Sequence, residues 1–227
     1  MPVILSLETA TTVCSVAITD GERIIAEKKL HEDKSHANQL TLLIEELLNN
    51  SEFKMSDIKA VAISEGPGSY TGLRIGLSTA KGLCYALAVP LIGVSTLKAM
   101  ALEVSHSHKK GELLCPMIDA RRMEVYTSLY SSTLEVLLPP QPMILDESSF
   151  NETLVGSKVL FFGNGSDKFK SVTDSANAVF IPDKSPSAWA VGKLAAEKFR
   201  KNQFEDLAYF EPEYLKEFQA TKPKSLL

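Results

Sequence analysis

Two α/β domains of one plan, each a short antiparallel meander followed by alternating helices and strands, are predicted from three observations in this sequence. The first is a set of three β-rich runs near the start, VILSLET (3–9), VCSVAIT (13–19) and RIIAEKKL (23–30). They are parted by Thr11-Thr12 and by Asp20-Gly21, a strong hairpin signal. The second is an alternation of helical and strand-like segments from 36 to 104. The third is that, after the polar stretch SHSHKKGE at 105–112, the strands-then-helix order starts again in a smaller form.

Each element has its own local reason. Leu40, Leu43, Ile44, Leu47 and Leu48 fall at i, i+3, i+4, i+7 and i+8, with Ser35 as N-cap and Asn49-Asn50 as a stop, which predicts a helix over 36–49. The apolar run from Ile58 to Ser64 reads as a buried strand. The loop EGPGSYTGLRIG (65–76) follows, then a helix over 71–88, a strand at Leu91 to Val94 after Pro90, and a helix over 96–104. In the second half LLCPMID (113–119), EVYTSLYS (124–131), LEVLL (134–138) and VLFFGNG (159–165) read as strands, and 187–202 as a helix. The domains are set at 1–107, carrying partner-binding helices, and 108–227, smaller and with a tail.

Bulk properties exclude several function classes. The 227 residues are 44% hydrophobic and 23% charged, enough for one large or two small packed domains. A formal net charge of −4 provides no basic field, so strong unaided binding to nucleic acid is not expected. The short basic pieces HKK (108–110) and KPK (222–224) do not amount to an RNA platform. Cys14, Cys84 and Cys115 are far apart and set in apolar surroundings, as buried thiols in a reducing compartment would be. No Cys/His pair stands at metal spacing. The start MPVILSLETA lacks a basic n-region, and no apolar run reaches about 18 residues, so no signal peptide or membrane span is expected. The expected location is the cytoplasm.

Three antiparallel strands followed by alternating helices and strands, written twice, is similar to the actin-like and sugar-kinase superfamily, in which each half has a ribonuclease-H-like core. More specifically, LETATTVCSVAI, GPGSYTGLRIGL, KGLCYALAVPLIGVSTLKAMA, MIDARRMEVY and EPEYLK resemble, in order and spacing, the TsaB (YeaZ) family. The match is densest over 3–126 and returns at 211–216. The resemblance implies a two-domain actin-like fold without catalysis of its own, required for threonylcarbamoyladenosine modification of tRNA next to the anticodon. It implies a heterodimer with TsaD, the subunit that transfers the threonylcarbamoyl group, and a homodimer when alone. The ATPase TsaE is implied as a further partner, and tRNA is reached only through the complex. No cofactor, metal, membrane contact or peptidase site is expected. The alternative is an autonomous actin-fold ATPase or phosphotransferase.

The residues can be weighed against that implication. In the superfamily's first phosphate hairpin a carboxylate, a glycine and a hydroxyl let backbone N–H groups approach a triphosphate. Here Glu8, Thr9 and Thr11 remain, but Ala10 places a methyl where glycine would allow the closest approach, so the hairpin reads as a degenerate nucleotide site. The TsaD relative carries two metal-binding histidines one helical turn apart where this chain has Thr96 and Met100. His31, His36, His106 and His108 read as solvated and do not replace them.

The loop at 65–76 has neither a P-loop lysine nor a following carboxylate. It reads instead as setting the entry angle of a helix capped by Ser69 or Thr71. That helix carries a thin polar stripe, Arg74, Ser78, Lys81 and Tyr85, between two apolar faces. One face is assigned to the domain's own sheet. The other, with Gly72, Gly76, Thr79 and Leu83, together with Leu40, Leu43 and Leu47 of the preceding helix, is assigned to the partner as half of a four-helix bundle. The competing reading buries both faces within the monomer. For Asp119, Arg121, Arg122 and Glu124 two readings stand: part of the cleft between domains, or an Asp-anchored turn with Arg–Glu salt bridges.

Overall fold

A computed structural model describes residues 2–21, 23–31, 36–106, 109 and 111–216, with His36 described in its backbone alone. The first sheet is built from β1 (Val3–Glu8), β2 (Val13–Asp20), β3 (Arg23–His31), β4 (Ala60–Gly66) and β5 (Leu91–Ser95), in the order β3-β2-β1-β4-β5. β1, β2 and β3 are antiparallel neighbours, while β4 and β5 run parallel to β1. The second sheet repeats this plan with β6 (Leu113–Asp119), β7 (Glu124–Tyr130), β8 (Val136–Ile144), β9 (Val159–Phe162) and β10 (Ala178–Ile181), in the order β10-β9-β6-β7-β8. Each half is thus a three-stranded meander extended by two parallel strands, the two-domain actin-like arrangement with ribonuclease-H-like cores.

The period-two pattern of β1 decides which layers form. Leu5 and Leu7 face α1 (His36–Asn49) and α2 (Tyr70–Leu87), packing with Leu40, Leu43, Leu47, Leu77 and Cys84. Ile4 faces the other way, toward α3 (Thr96–Ser105) and α6 (Ala188–Arg200), against Ala99, Leu102, Ala190 and Val191. α3 also turns Leu97, Met100, Ala101 and Val104 onto Leu114, Ile118 and Phe162 of the second sheet, so it is the layer shared by both halves. Burying each large aliphatic side chain contributes about 1.5–3 kcal/mol, which is why the leucines of α1 turn inward.

Three differences from the sequence expectations have local causes. Leu134, expected to begin a strand, takes a positive φ of 64° in a turn closed on Ser131, and β8 starts only at Val136. β8 contains Pro139, Pro140 and Pro142, which an edge strand tolerates because one side needs no ladder hydrogen bonds. β10 and the short helices α4 (Asn151–Gly156) and α5 (Ser166–Lys170) carry too little periodicity to be read in advance. Finally, α6 and the segment after it, expected with the second half, pack on the first sheet: Glu205 forms an antiparallel bridge with Leu91. Ser35, His108, the HKK and KPK pieces and the chain end beyond 216 lie wholly or largely outside the described residues.

Candidate functional site

The hairpin joining β1 and β2 and the start of α2 meet at the centre of the first half. Glu8, Thr9, Ala10 and Thr11 are all buried. The Glu8 carboxylate takes the Ala10 N–H at 2.6 Å, and Thr11 Oγ1 takes the Val13 N–H at 3.3 Å. Ala10 O accepts from Ser69 N at 2.7 Å, so the glycine-rich loop is hydrogen-bonded onto the hairpin. The Gly66–Pro67 peptide bond is cis. Ser69 then caps α2, its Oγ accepting from Gly72 N at 3.3 Å.

The glycines of the loop serve this internal contact. A Cβ on Gly68 would overlap Ala10 O, one on Gly72 would overlap Thr9 O, and one on Gly76 would overlap Thr9 Oγ1 and approach Ile63 Cδ1 to 2.9 Å. Only hydrogen at these positions lets the helix approach the hairpin so closely. The start of α2 is therefore packed directly on the hairpin.

The residues expected at the partner surface are divided by their burial. Gly72 and Gly76 are buried against Thr9, and Leu40, Leu43 and Leu47 are buried against β1, β2 and β4. Their inward orientation follows from the sheet lying beneath both helices. Thr79 and Leu83 stay half-buried. They line a groove of about 410 Å³ between α1 and α2, whose other walls include Ile44, Leu48, Phe53 and Met55. Elsewhere on the same helices Leu42 is 50% exposed on α1 and Tyr85 84% exposed on α2.

The end of the described chain returns to the same loop. Glu213 N donates to Glu65 O at 2.7 Å, and Arg74 Nε donates to Tyr214 OH at 3.1 Å. Tyr214 packs on Tyr70 with ring centroids 5.2 Å apart, and Lys216 pairs with Glu124 of the second half. EPEYLK is thus a strap from the glycine-rich loop to β7.

In the second half, Asp119 accepts from Arg121 N and pairs with Lys168 at 2.8 Å, while Glu124 pairs with Lys216. The Asp-anchored turn is present, but lysines rather than Arg121 and Arg122 neutralise the carboxylates. Both arginines sit exposed at the turn with positive φ. Thr96 and Met100 are core residues, and no cluster of metal-binding side chains occurs among the described residues. Burial pushes the thiols of Cys14 and Cys84 up to about 11 and that of Cys115 up to about 12, so none is poised as a nucleophile.

Of the carboxyl groups three are the most perturbed: Glu8, which the sequence places in the hairpin, and Glu65 and Glu103, to which it assigns no role. Burial raises Glu8, Glu65 and Glu103 to about 7 each; the charge of Glu103 raises Glu8 further, and that of Glu27 raises Glu103. Among the described residues Glu8 Oε2 and Glu103 Oε1 have no hydrogen-bond partner. In the unfolded chain these groups titrate near 4.5. The folded chain therefore keeps protons that the unfolded chain releases, and stability falls as pH rises through the window from 4.5 to about 7. For fully buried Glu8 the loss is on the order of 3 kcal/mol. Urea midpoints are expected to be higher at pH 6 than at pH 8, and Glu8→Gln or Glu103→Gln should narrow that difference. An unchanged difference in both variants would remove this account.

Comparison with known proteins can now be set beside this geometry. The family model described as "TsaD: tRNA N6-adenosine threonylcarbamoyltransferase" matches residues 22–227. The tRNA threonylcarbamoyladenosine biosynthesis protein TsaB of Bacillus subtilis is 31% identical over 174 residues, covering 75% of both chains. That of Escherichia coli is 38% identical over 127 residues, covering 56% of this chain and 54% of its own. Among solved structures, YeaZ from Pseudomonas aeruginosa superposes with a TM-score of 0.79 at 25% identity, covering 95% of this chain and all of its own. A Pseudomonas aeruginosa protein described as similar to the peptidase YeaZ reaches a TM-score of 0.85 at 24% identity over the same shares, a likeness of fold.

Proposed function

Since this chain belongs to the TsaB (YeaZ) family, we propose that it is a non-catalytic subunit required for threonylcarbamoyladenosine modification of tRNA, acting by binding and activating a TsaD protein. The observation that carries this reading is the contrast between two places on the first half. The hairpin that would hold a nucleotide is filled from within: Ala10 N is taken by Glu8, and Thr9 is packed against Gly72 and Gly76. The groove between α1 and α2, by contrast, is open and apolar, lined by Ile44, Leu48, Phe53, Met55 and Leu83. An unfilled apolar surface is what a protein partner covers.

In this reading TsaD docks across α1 and α2 through Thr79, Leu83 and their neighbours. A second copy of the chain occupies the same groove in the absence of TsaD, TsaE joins the assembled pair, and tRNA is reached through the complex. The site of action is the cytoplasm. No described helix is long and apolar enough to cross a membrane. Residues 1–107 and 108–227 are taken as the two domains, with α6 returning from the second to the first. The competing reading, an autonomous ATPase, needs the hairpin to open, and nothing in its packing favours that.

The test is size-exclusion chromatography with light scattering on this protein alone and mixed with its cognate TsaD, followed by a threonylcarbamoylation assay omitting each protein in turn. A one-to-one complex, with activity only when both are present and no turnover by this chain alone, is expected. Failure to bind TsaD combined with ATP hydrolysis by this chain would replace the reading with its competitor.

A further inference from the structure

Away from the hairpin and the groove, a second cavity of about 240 Å³ opens where α6 passes over the ends of β4 and β5. Its lining is about half polar, with Glu65, Ser95, Lys98, Glu197, Lys198 and Lys201 set against an apolar wall of Val94 and Leu194. In open α/β sheets the carboxyl ends of the strands are where ligands bind.

The charges around this cavity are unequally satisfied. Lys201 pairs with Glu197 at 2.6 Å. Lys198 donates to Gly93 O at 2.7 Å and to Glu205 at 3.3 Å. Two groups remain. Glu65 receives no hydrogen bond on its carboxylate among the described residues, and its nearest compensating charge is Lys198. The Lys98 ammonium makes no hydrogen bond among the described residues and is one of the cations whose charge lowers Glu197. Glu65 and Lys98 face the same cavity without forming an ion pair with each other.

The position of Glu65 is built rather than incidental. A Cβ on Gly93 would overlap Glu65 Oε2, so the glycine in β5 makes room for the carboxylate. Its backbone is held by Glu213 N at 2.7 Å. Lys98 lies in the first turn of α3, whose N-cap is Ser95, so the positive end of that helix adds to the ammonium. An acid at one side and a cation with a helix start at the other leave a gap that suits a ligand carrying both charges a short distance apart.

We propose that this cavity binds a small zwitterion, a free α-amino acid, with its ammonium on Glu65 and its carboxylate on Lys98 and the start of α3. The volume is below the roughly 300 Å³ at which pockets for drug-sized ligands begin, which excludes a nucleotide. The ionised carboxylate that an ammonium ligand needs at Glu65 costs desolvation in the empty protein, and the ligand's charge offsets that cost.

The test is isothermal titration calorimetry on the full chain with each of the twenty standard L-amino acids, and with acetate and methylammonium as the two halves of the ligand. At least one amino acid should bind saturably, and each half at least tenfold more weakly. Glu65→Gln and Lys98→Met should each weaken the amino acid at least tenfold while remaining folded by circular dichroism. If Glu65→Gln fails to fold, Lys98→Met carries the decision. No binding by any amino acid to the unaltered protein overturns the proposal. So does acetate or inorganic phosphate binding as tightly as the amino acid, which makes the cavity an anion site, and so does full affinity in Lys98→Met.

Discussion

Gly76→Glu is expected to abolish folding of this protein, while Gly82→Glu on the same helix is expected to leave it folded. Gly76 is buried, and any Cβ there would overlap Thr9 Oγ1 and come to 2.9 Å of Ile63 Cδ1. Thr9 cannot give way, because Ala10 O beside it is tied to Ser69 N and Glu8 is tied to Ala10 N. Overpacking alone costs about 1–3 kcal/mol, and an unpaired carboxylate in the same place adds several more. Together these exceed what a domain of marginal stability withstands. Gly82 differs only in what surrounds it: a Cβ there meets nothing within 4 Å. Gly82→Ala is expected to stabilise the helix by about 0.5–1 kcal/mol. Soluble yield and urea unfolding of the three variants check both statements. A well-folded Gly76→Glu would mean that α2 does not rest on the hairpin.

Thr79→Glu is expected to leave the fold intact and to weaken binding of TsaD at least ~100-fold, equal to about 2.7 kcal/mol. Thr79 is half-buried, lines the groove between α1 and α2 and stands outside the hydrophobic core, so a longer polar side chain can turn to solvent in the free protein. In the complex it would place an unpaired charge among Ile44, Leu48, Phe53 and Leu83. The same variant should move any homodimer toward monomer, because the second copy uses the same surface in this reading. Light scattering of the variant alone and with TsaD reads both effects. Unchanged association with TsaD would place the interface elsewhere, and the groove would lose its assigned role.

The two substitutions divide a surface that looks uniform in the sequence. Periodicity places Gly72, Gly76, Thr79 and Leu83 on one helix face, and nothing local distinguishes its N-terminal half from its C-terminal half. In the structure the hairpin underlies only the first turns, so Gly72 and Gly76 are internal while Thr79 and Leu83 border the open groove. The leucines of α1 divide similarly: Leu40, Leu43 and Leu47 meet the sheet, Leu48 lines the groove and Leu42 is exposed.

What the sequence determined by itself is what depends on neighbours along the chain. α1 spans His36–Asn49, as the leucine spacing and the Asn-Asn stop require, and Ser69 caps α2 as its hydroxyl before an apolar run suggests. The run of three β-rich segments predicted the antiparallel start of the first sheet, and the set of motifs identified the family. What only the tertiary structure decided depends on contacts between distant segments. Glu65 stands in the loop sequence with nothing to mark it; its burial arises because Gly93 yields space and Glu213, far along the chain, lies across it. Glu103 comes near enough to raise Glu8 only when α3 packs near the end of β1. The glycines of the loop could be read as a cradle, a hinge or an interface until Thr9 and Ala10 were seen against them. Hydrophobic spacing and capping act over a few residues and are written locally, whereas desolvation and close approach are properties of whatever the fold brings alongside.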